Sequence, residues 1–233
     1  MTNQPPFPQP SPHLERVLNS AAKLQRAVPD AVLVGGSAAA LYAGHRESTD
    51  HDHVLIDLAE RFELVLEALE ATEGWVTNRV RPGKIILGAL GDIEAGVRQL
   101  IRKTPLETSV IQLATGDSLQ VPTLDETIRI KAFLMVVRNQ TRDYLDVAAL
   151  ADTTGIDHAA AVIAGIDDYY ADQHHGGDGV ASQCIRQLSS PHPADSRVTR
   201  ELSHYKGLSK RWHEWSETVA ICKAIADRIM ELK

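Results

Sequence analysis

Two stretches constrain this chain more than anything else in it. One is Val34-Gly35-Gly36-Ser37, which closes an apolar run, and the other is Asp50-His51-Asp52, a short spacer later. Ala31 to Gly35 reads as a short buried strand and Ser37 to Tyr42 as the helix that follows it. Glycines at such a strand-to-helix turn carry no Cβ, so a phosphate can approach the backbone closely. The Ser37 hydroxyl and the N–H groups of the first helical turn are the expected donors to phosphate oxygens. A glycine pair also serves wherever a strand bends tightly into a helix, so it does not by itself specify a ligand.

Asp50 and Asp52 narrow the choice. In a strand, residues i and i+2 share a face, which sets the two carboxylates about 6 to 7 Å apart. Two like charges this close are unfavourable unless a cation lies between them. Hard divalent ions such as Mg²⁺ take oxygen ligands of this kind, completed by water and substrate phosphates. The plain alternative is a solvated strand end with unrelated acids. His51 and His53 alternate with the aspartates and point to the opposite face, which argues against a shared transition-metal site. A polar residue at position 51 predicts that this opposite face is not fully buried.

The rest of the chain divides into an α/β half and a helical half. Residues 1–12 hold five of the 11 prolines and read as a disordered tail. A helix is expected from His13 to about Val28, a second strand continuing from Asp50 through Val54 to Ile56, and a helix from Leu58 to Ala71. Strand-like runs follow at Trp75 to Val80, Lys84 to Leu90, Ile93 to Ile101 and Val110 to Leu113, with a hairpin turn at Gly91-Asp92. From Thr123 the periodicity is helical to Leu150, with further helices at His158 to Tyr170 and from Val198 to the C-terminus. Residues 173–197, rich in Gly, Ser, Pro and His, read as a long flexible loop that includes His174, His175, Gly176, Gly177 and Asp178. The domains expected are thus 13–122 (α/β) and 123–233 (α-helical).

On the helical stretch, Ile130, Phe133, Leu134, Val137, Tyr144, Leu145 and Ala148 form one apolar stripe at 100° per residue. Lys131, Arg138 and Arg142 fall on one line along an adjacent face. Unpaired cations along a line repel, which suggests an anionic partner; the alternative is a solvated face balanced by Asp125, Glu126, Asp143 and Asp146. Trp212, Trp215, Val219, Cys222, Ala226 and Ile229 near the C-terminus read as a packing stripe rather than a ligand box.

Val34-Gly35-Gly36, the spacer and Asp50-x-Asp52 together resemble the signature of the nucleotidyltransferase superfamily, and Arg46-x-Ser48-x-Asp50 is similar to its AbiEii type, an abortive-infection and toxin–antitoxin family. Lys131-x6-Arg138-x3-Arg142-Asp143-x2-Asp146 resembles that family's downstream motif, so the likeness covers roughly residues 30–152. His51 is a departure, since the family usually places an apolar residue between the two acids. The resemblance implies an α+β fold, a nucleotidyltransferase-like mixed sheet flanked by helices and followed by a C-terminal α-helical region. It implies a metal-dependent transfer of NMP from an NTP to an RNA (tRNA included) or protein acceptor, by a toxin checked by a separate antitoxin. Asp50 and Asp52 are then the ligands of Mg²⁺ or Mn²⁺, and Asp50, Asp52 and Lys131 are catalytic. Gly35, Gly36, Ser37, Arg46, Ser48, Lys131, Arg138 and Arg142 contact the nucleotide, while Asp143 and Asp146 orient the cations rather than bind metal. A third acid usually completes such sites. Glu94 is the candidate and Asp92 the weaker one, whereas the position where the resemblance expects it reads Val97-Arg98-Gln99-Leu100. That gap motivates a second reading, a non-catalytic nucleotide-sensing or protein-binding module of the same fold.

The charge balance bears on these readings. With 24 Lys+Arg against 31 Asp+Glu the net charge is -7, which argues against broad coating of nucleic acid or a DNA-binding regulator. Residues 79–142 nevertheless carry 10 Lys+Arg and 6 Asp+Glu, a local excess that suits a basic cleft. Two cysteines, no apolar run long enough to span a membrane, and no basic, apolar leader predict a soluble cytoplasmic protein without membrane partners.

Overall fold

The computed structural model describes residues 7–173, 177–205 and 207–232, and they fall into two units, Met1–Thr123 and Leu124–Lys233. In the first unit, helix α1 (Pro12–Ala27) starts at Ser11, whose hydroxyl accepts from Leu14 N at 3.1 Å, and Pro12 opens the first turn, where a missing N–H goes unnoticed. Its Leu14, Val17, Leu18, Ala21 and Leu24 are buried as their spacing requires. Strand β1 (Val32–Val34) leads directly into α2 (Gly35–Ala43), then come β2 (Asp50–Leu55) and α3 (Phe62–Glu70). Strands β3 (Trp75–Arg81), β4 (Ile85–Leu90) and β5 (Ile93–Gln99) form a meander, and β6 (Thr108–Gln112) pairs with β7 (Ser118–Pro122) as a separate hairpin.

The main sheet has the order β1-β2-β5-β4-β3, with β2 and β5 parallel and every other pair antiparallel. One face is apolar: Leu55, Ile86, Leu90, Ala95, Val97 and Trp75 meet Leu24, Phe62, Val65 and Leu69 of the covering helices and Val28 just past α1. His51 and His53 lie on this same face at 1% and 0% exposure, so the face is closed, contrary to the sequence expectation. His51 tolerates burial because its Nε2 sits 2.9 Å from Ser20 Oγ of α1 and its ring stands edge-on to His53. The opposite face of the sheet carries the acids.

The second unit consists of α4 (Leu124–Arg138), α5 (Thr141–Thr154), α6 (Ile156–Ala164), the short α7 (Asp167–Tyr170), α8 (Val180–Ser189) and α9 (Trp215–Glu231) around a core that includes Met135, Tyr144, Leu145, Cys184 and Ile225. Among the described residues no helix is long and apolar enough to cross a membrane.

Several expectations need correction. Residues 7–12 are ordered: Phe7 packs 5.2 Å from the Tyr42 ring and Ser11 donates to Glu47 at 3.0 Å, while residues 1–6 lie outside the described residues. Strand β7 is an addition, its polar half hiding Leu119 and Val121, which are fully buried. The helix expected through Leu150 breaks after Arg138, where Asn139 takes φ 48 and its amide donates to His192 O at 2.9 Å. The expected stripe is not one continuous face: Val137, before the break, is 59% exposed, while Tyr144, Leu145 and Ala148 beyond it are buried. The expected loop at 173–197 contains α8, whose Val180, Ala181, Cys184 and Leu188 are buried at helical spacing that the flanking Gly, Pro and His residues masked; His174, His175 and Gly176 lie outside the described residues. The C-terminal helix begins at Trp215 rather than Val198, after three single 3-10 turns.

Candidate active site

The chain leaves β1 extended at Val34 and turns at Gly35, where φ is 79, a conformation that L side chains rarely adopt. The first N–H groups of α2 have no side-chain cap. A Cβ on Gly35 would stand 3.6 Å from Asp52 Cβ and Oδ2, so this helix start abuts the Asp52 carboxylate. Gly36 has a different task. A Cβ there would stand 2.8 Å from Arg46 Nη2 and from Ser48 Oγ, so its bareness admits those two side chains rather than a phosphate.

Ser37 also departs from its expected role. Its buried hydroxyl donates to the Asp50 carbonyl at 2.6 Å and so fastens α2 to the start of β2. Arg46 and Ser48 are buried at 7% and 1% exposure; Arg46 donates to Glu47 O at 3.1 Å, and Ser48 Oγ lies 3.4 Å from Asp50 Oδ1. Together the three side chains brace the loop that delivers Asp50.

Asp50 and Asp52 alternate along β2 and share its outer face. The parallel register sets Glu94 of β5 beside Asp50, Gly96 beside Asp52 and Arg98 beside Val54. Gly96 leaves room for the Asp52 carboxylate, since a Cβ there would come within 2.8 Å of Asp52 Oδ1 and push it aside. Arg98 Nε donates to that same oxygen at 3.2 Å, supplying opposite charge to the acidic pair. A cavity of about 220 Å³ opens here, lined by Asp50, Asp52, Asn78, Arg79, Glu94 and Arg98 among others. Gly96, Arg98, Asn78 and Arg79 were missed by sequence reasoning, since only strand pairing brings them to the carboxylates.

Behind β2, burial pushes His51 down to about 4 despite the neighbouring Asp50 charge, and holds His53 well below the usual histidine range. Both rings are therefore neutral at neutral pH and offer the acids no compensating charge.

The described residues contain no group of three or more His, Cys, Asp or Glu placed to cage a metal ion. Mg²⁺ does not require one, because it is commonly held by one or two carboxylates with water and substrate phosphates filling the remaining positions. Asp50 and Asp52, on one face beside uncapped helix N–H groups, are a donor set of that kind.

In the helical unit Lys131 is not an unpaired cation. Its Nζ is 2.7 Å from Asp146 Oδ2, and both side chains are buried. Asp143 lies close enough to interact with Lys131, Arg138, Arg142 and Asp146; burial raises its carboxyl above the usual range, with Lys131 opposing. Neither Asp143 oxygen has a hydrogen-bond partner among the described residues. The expected line of repelling cations is thus a compact mixed-charge cluster straddling the helix break.

This architecture is shared with solved structures, one of them a nucleotidyltransferase toxin. MenT4, a nucleotidyltransferase toxin from Mycobacterium tuberculosis H37Rv, superposes with a TM-score of 0.62 at 17% identity, covering 94% of this chain and 84% of that one. JHP933 from Helicobacter pylori superposes with a TM-score of 0.55 at 17% identity, covering 96% of this chain and 94% of that one. At such identities the likeness is one of fold, and the fold is that of a nucleotidyltransferase. Residues 16–221 match the family described as nucleotidyl transferase AbiEii toxin of type IV toxin–antitoxin systems, and the chain belongs to that family. Among curated proteins it is 32% identical over 250 residues to the heme uptake protein MmpL11 of Mycobacterium tuberculosis, covering 95% of this chain. It is also 41% identical over 130 residues to the mycolic acid-containing lipids exporter MmpL11 of Mycolicibacterium smegmatis, covering 56% of this chain and 13% of that protein. The chain spans 23% of the length of the first of these relatives.

Proposed function

We propose that this protein transfers a nucleoside monophosphate from an NTP to a hydroxyl of an RNA or protein acceptor, with Mg²⁺ or Mn²⁺ held by Asp50 and Asp52. The observation that carries this reading is the convergence of Asp50, Asp52 and Glu94 on one sheet face, around a cavity and beside an uncapped helix start. When bound, the metal supplies positive charge to the triphosphate and lowers the pKa of an oxygen nucleophile. The acceptor oxygen attacks the α-phosphorus, the bond to the β-phosphate oxygen breaks, and diphosphate leaves. Glu94, exposed and in register with Asp50, is the group placed to take the proton from the acceptor hydroxyl.

The N–H groups that open α2 are donors for phosphate oxygens. Gly35 makes that approach possible, while Gly36, Ser37, Arg46 and Ser48 support it from behind. A cognate antitoxin restrains the activity in this reading. NTP consumption and two buried thiols, Cys184 and Cys222, suit a cytoplasmic setting.

The test is incubation of the purified protein with each α-labelled NTP, Mg²⁺ and total RNA, followed by separation of RNA from protein. Wild type is expected to label an acceptor and Asp50→Ala is not. No labelling of either fraction by wild type, or equal labelling by the variant, overturns the reading.

A further inference from the structure

A β-bulge decides what the far edge of the sheet presents to this site. On β3, Trp75 and Thr77 pair with Leu90 and Gly88, on the apolar side of the sheet. Unbroken alternation would send Arg79 and Arg81 to the same side. Instead the register shifts between Thr77 and Arg79, leaving Asn78 as the extra residue, so that Arg79 stands opposite Leu87 and Arg81 opposite Ile85. Leu87 and Ile85 in turn pair with Gly96 and Arg98, which stand beside Asp52 and Val54. Directly paired residues share a face, so the bulge moves both arginines to the carboxylate face and returns Val80 to the apolar one.

Both side chains are exposed, and neither has an ion pair or hydrogen bond with any described residue. This sets them apart within their unit, where Arg16, Arg26 and Arg61 pair with Asp92, Asp117 and Asp30. Lys84, in the adjoining turn, is exposed and likewise without an ion pair. Two guanidinium groups at i and i+2 repel, and an anion lying along the strand relieves that repulsion. Arg79 lines the cavity that also holds Asp50, Asp52 and Glu94. Three strand spacings, about 14 Å, separate β3 from β2, so one ligand engaging both the arginines and the aspartates has to be extended.

We infer that Arg79 and Arg81 are the track on which the phosphate backbone of an RNA acceptor docks, bringing its reactive hydroxyl across β4 and β5 to Asp50 and Asp52. This rests on the transferase reading above and chooses RNA over protein as the acceptor. Planar guanidinium groups match phosphate oxygens in paired hydrogen bonds, and a polyanion offers them at successive positions.

The test compares the full-length wild type with Arg79→Ala/Arg81→Ala and Arg79→Lys/Arg81→Lys. Binding of a labelled mixed-sequence RNA is measured against salt concentration, and transfer kinetics are measured alongside. Loss of two phosphate contacts makes the slope of log affinity against log salt shallower by about 1.4, at roughly 0.7 per single-strand contact. The alanine pair is expected to show that change and a raised KM for RNA with an unaltered KM for NTP, while the lysine pair keeps most of the slope. An unchanged slope and acceptor KM in the alanine pair overturns the inference, as does labelling confined to protein and indifferent to the double substitution. Wild type that binds RNA through these arginines but incorporates no nucleotide sinks the transferase reading and leaves the track standing.

Discussion

Gly96 illustrates how much of the site is made by single residues. A Cβ at this position meets Asp52 Oδ1 at 2.8 Å and Leu87 Cδ2 at 2.9 Å, both the far ends of flexible side chains. Such ends can move, so Gly96→Ala is expected to lower stability by only about 1 kcal/mol. Asp52 itself has to yield, however, and a misplacement near 1 Å of a reacting group can reduce turnover about 100-fold. Thermal melting and kcat measured on the same preparation check this; a near-normal kcat contradicts it. Asp50 and Asp52 were legible in the sequence because their shared face follows from the two-residue period of a strand. Gly96, Arg98 and Glu94 were not equally legible, because which of them neighbours which aspartate depends on the parallel β2–β5 register.

At the scale of the element, β2 does two jobs on its two faces. Its outer face holds the acids, and its inner face buries His51 and His53 against α1 and the apolar core. His51 titrates near 6.5 when unfolded and near 4 in the fold, where burial disfavours its charged form. The unfolded chain therefore binds a proton below pH 6.5 that the folded chain refuses until about pH 4, so stability falls as pH drops through that window. The contribution is about 3 kcal/mol at most. Chemical denaturation at a series of pH values is expected to show this slope in wild type and less of it in His51→Gln. The constant effect of altered packing cancels in the comparison, and identical slopes refute the assignment. Helix α4 gives the contrary lesson about elements. Helical period in the sequence runs on to Leu150, but Asn139 in a left-handed conformation stops the helix, and Asp146 of α5 pairs with Lys131 across the break.

For the whole molecule, a net charge of -7 coexists with arginines gathered on one sheet face. Ligand linkage gives a global readout of the proposed site. A nucleotide with Mg²⁺ that binds the folded state alone stabilises it by about 2.7 kcal/mol at a concentration of 100 Kd. A non-hydrolysable NTP with Mg²⁺ is therefore expected to raise the melting temperature of wild type, and not that of Asp50→Asn. An equal shift in both places the nucleotide elsewhere. The chain's own order determined the Gly-Gly turn, the aspartate pair, the helical second half and most element positions, because these rest on local periodicity and on the backbone freedom of glycine. Tertiary structure alone decided that Ser37, Arg46 and Ser48 brace the start of the acidic strand, that Lys131 is paired, and that a bulge turns Arg79 and Arg81 toward the carboxylates. Each of those outcomes depends on the register or contact of residues far apart in the chain, and no local period encodes it.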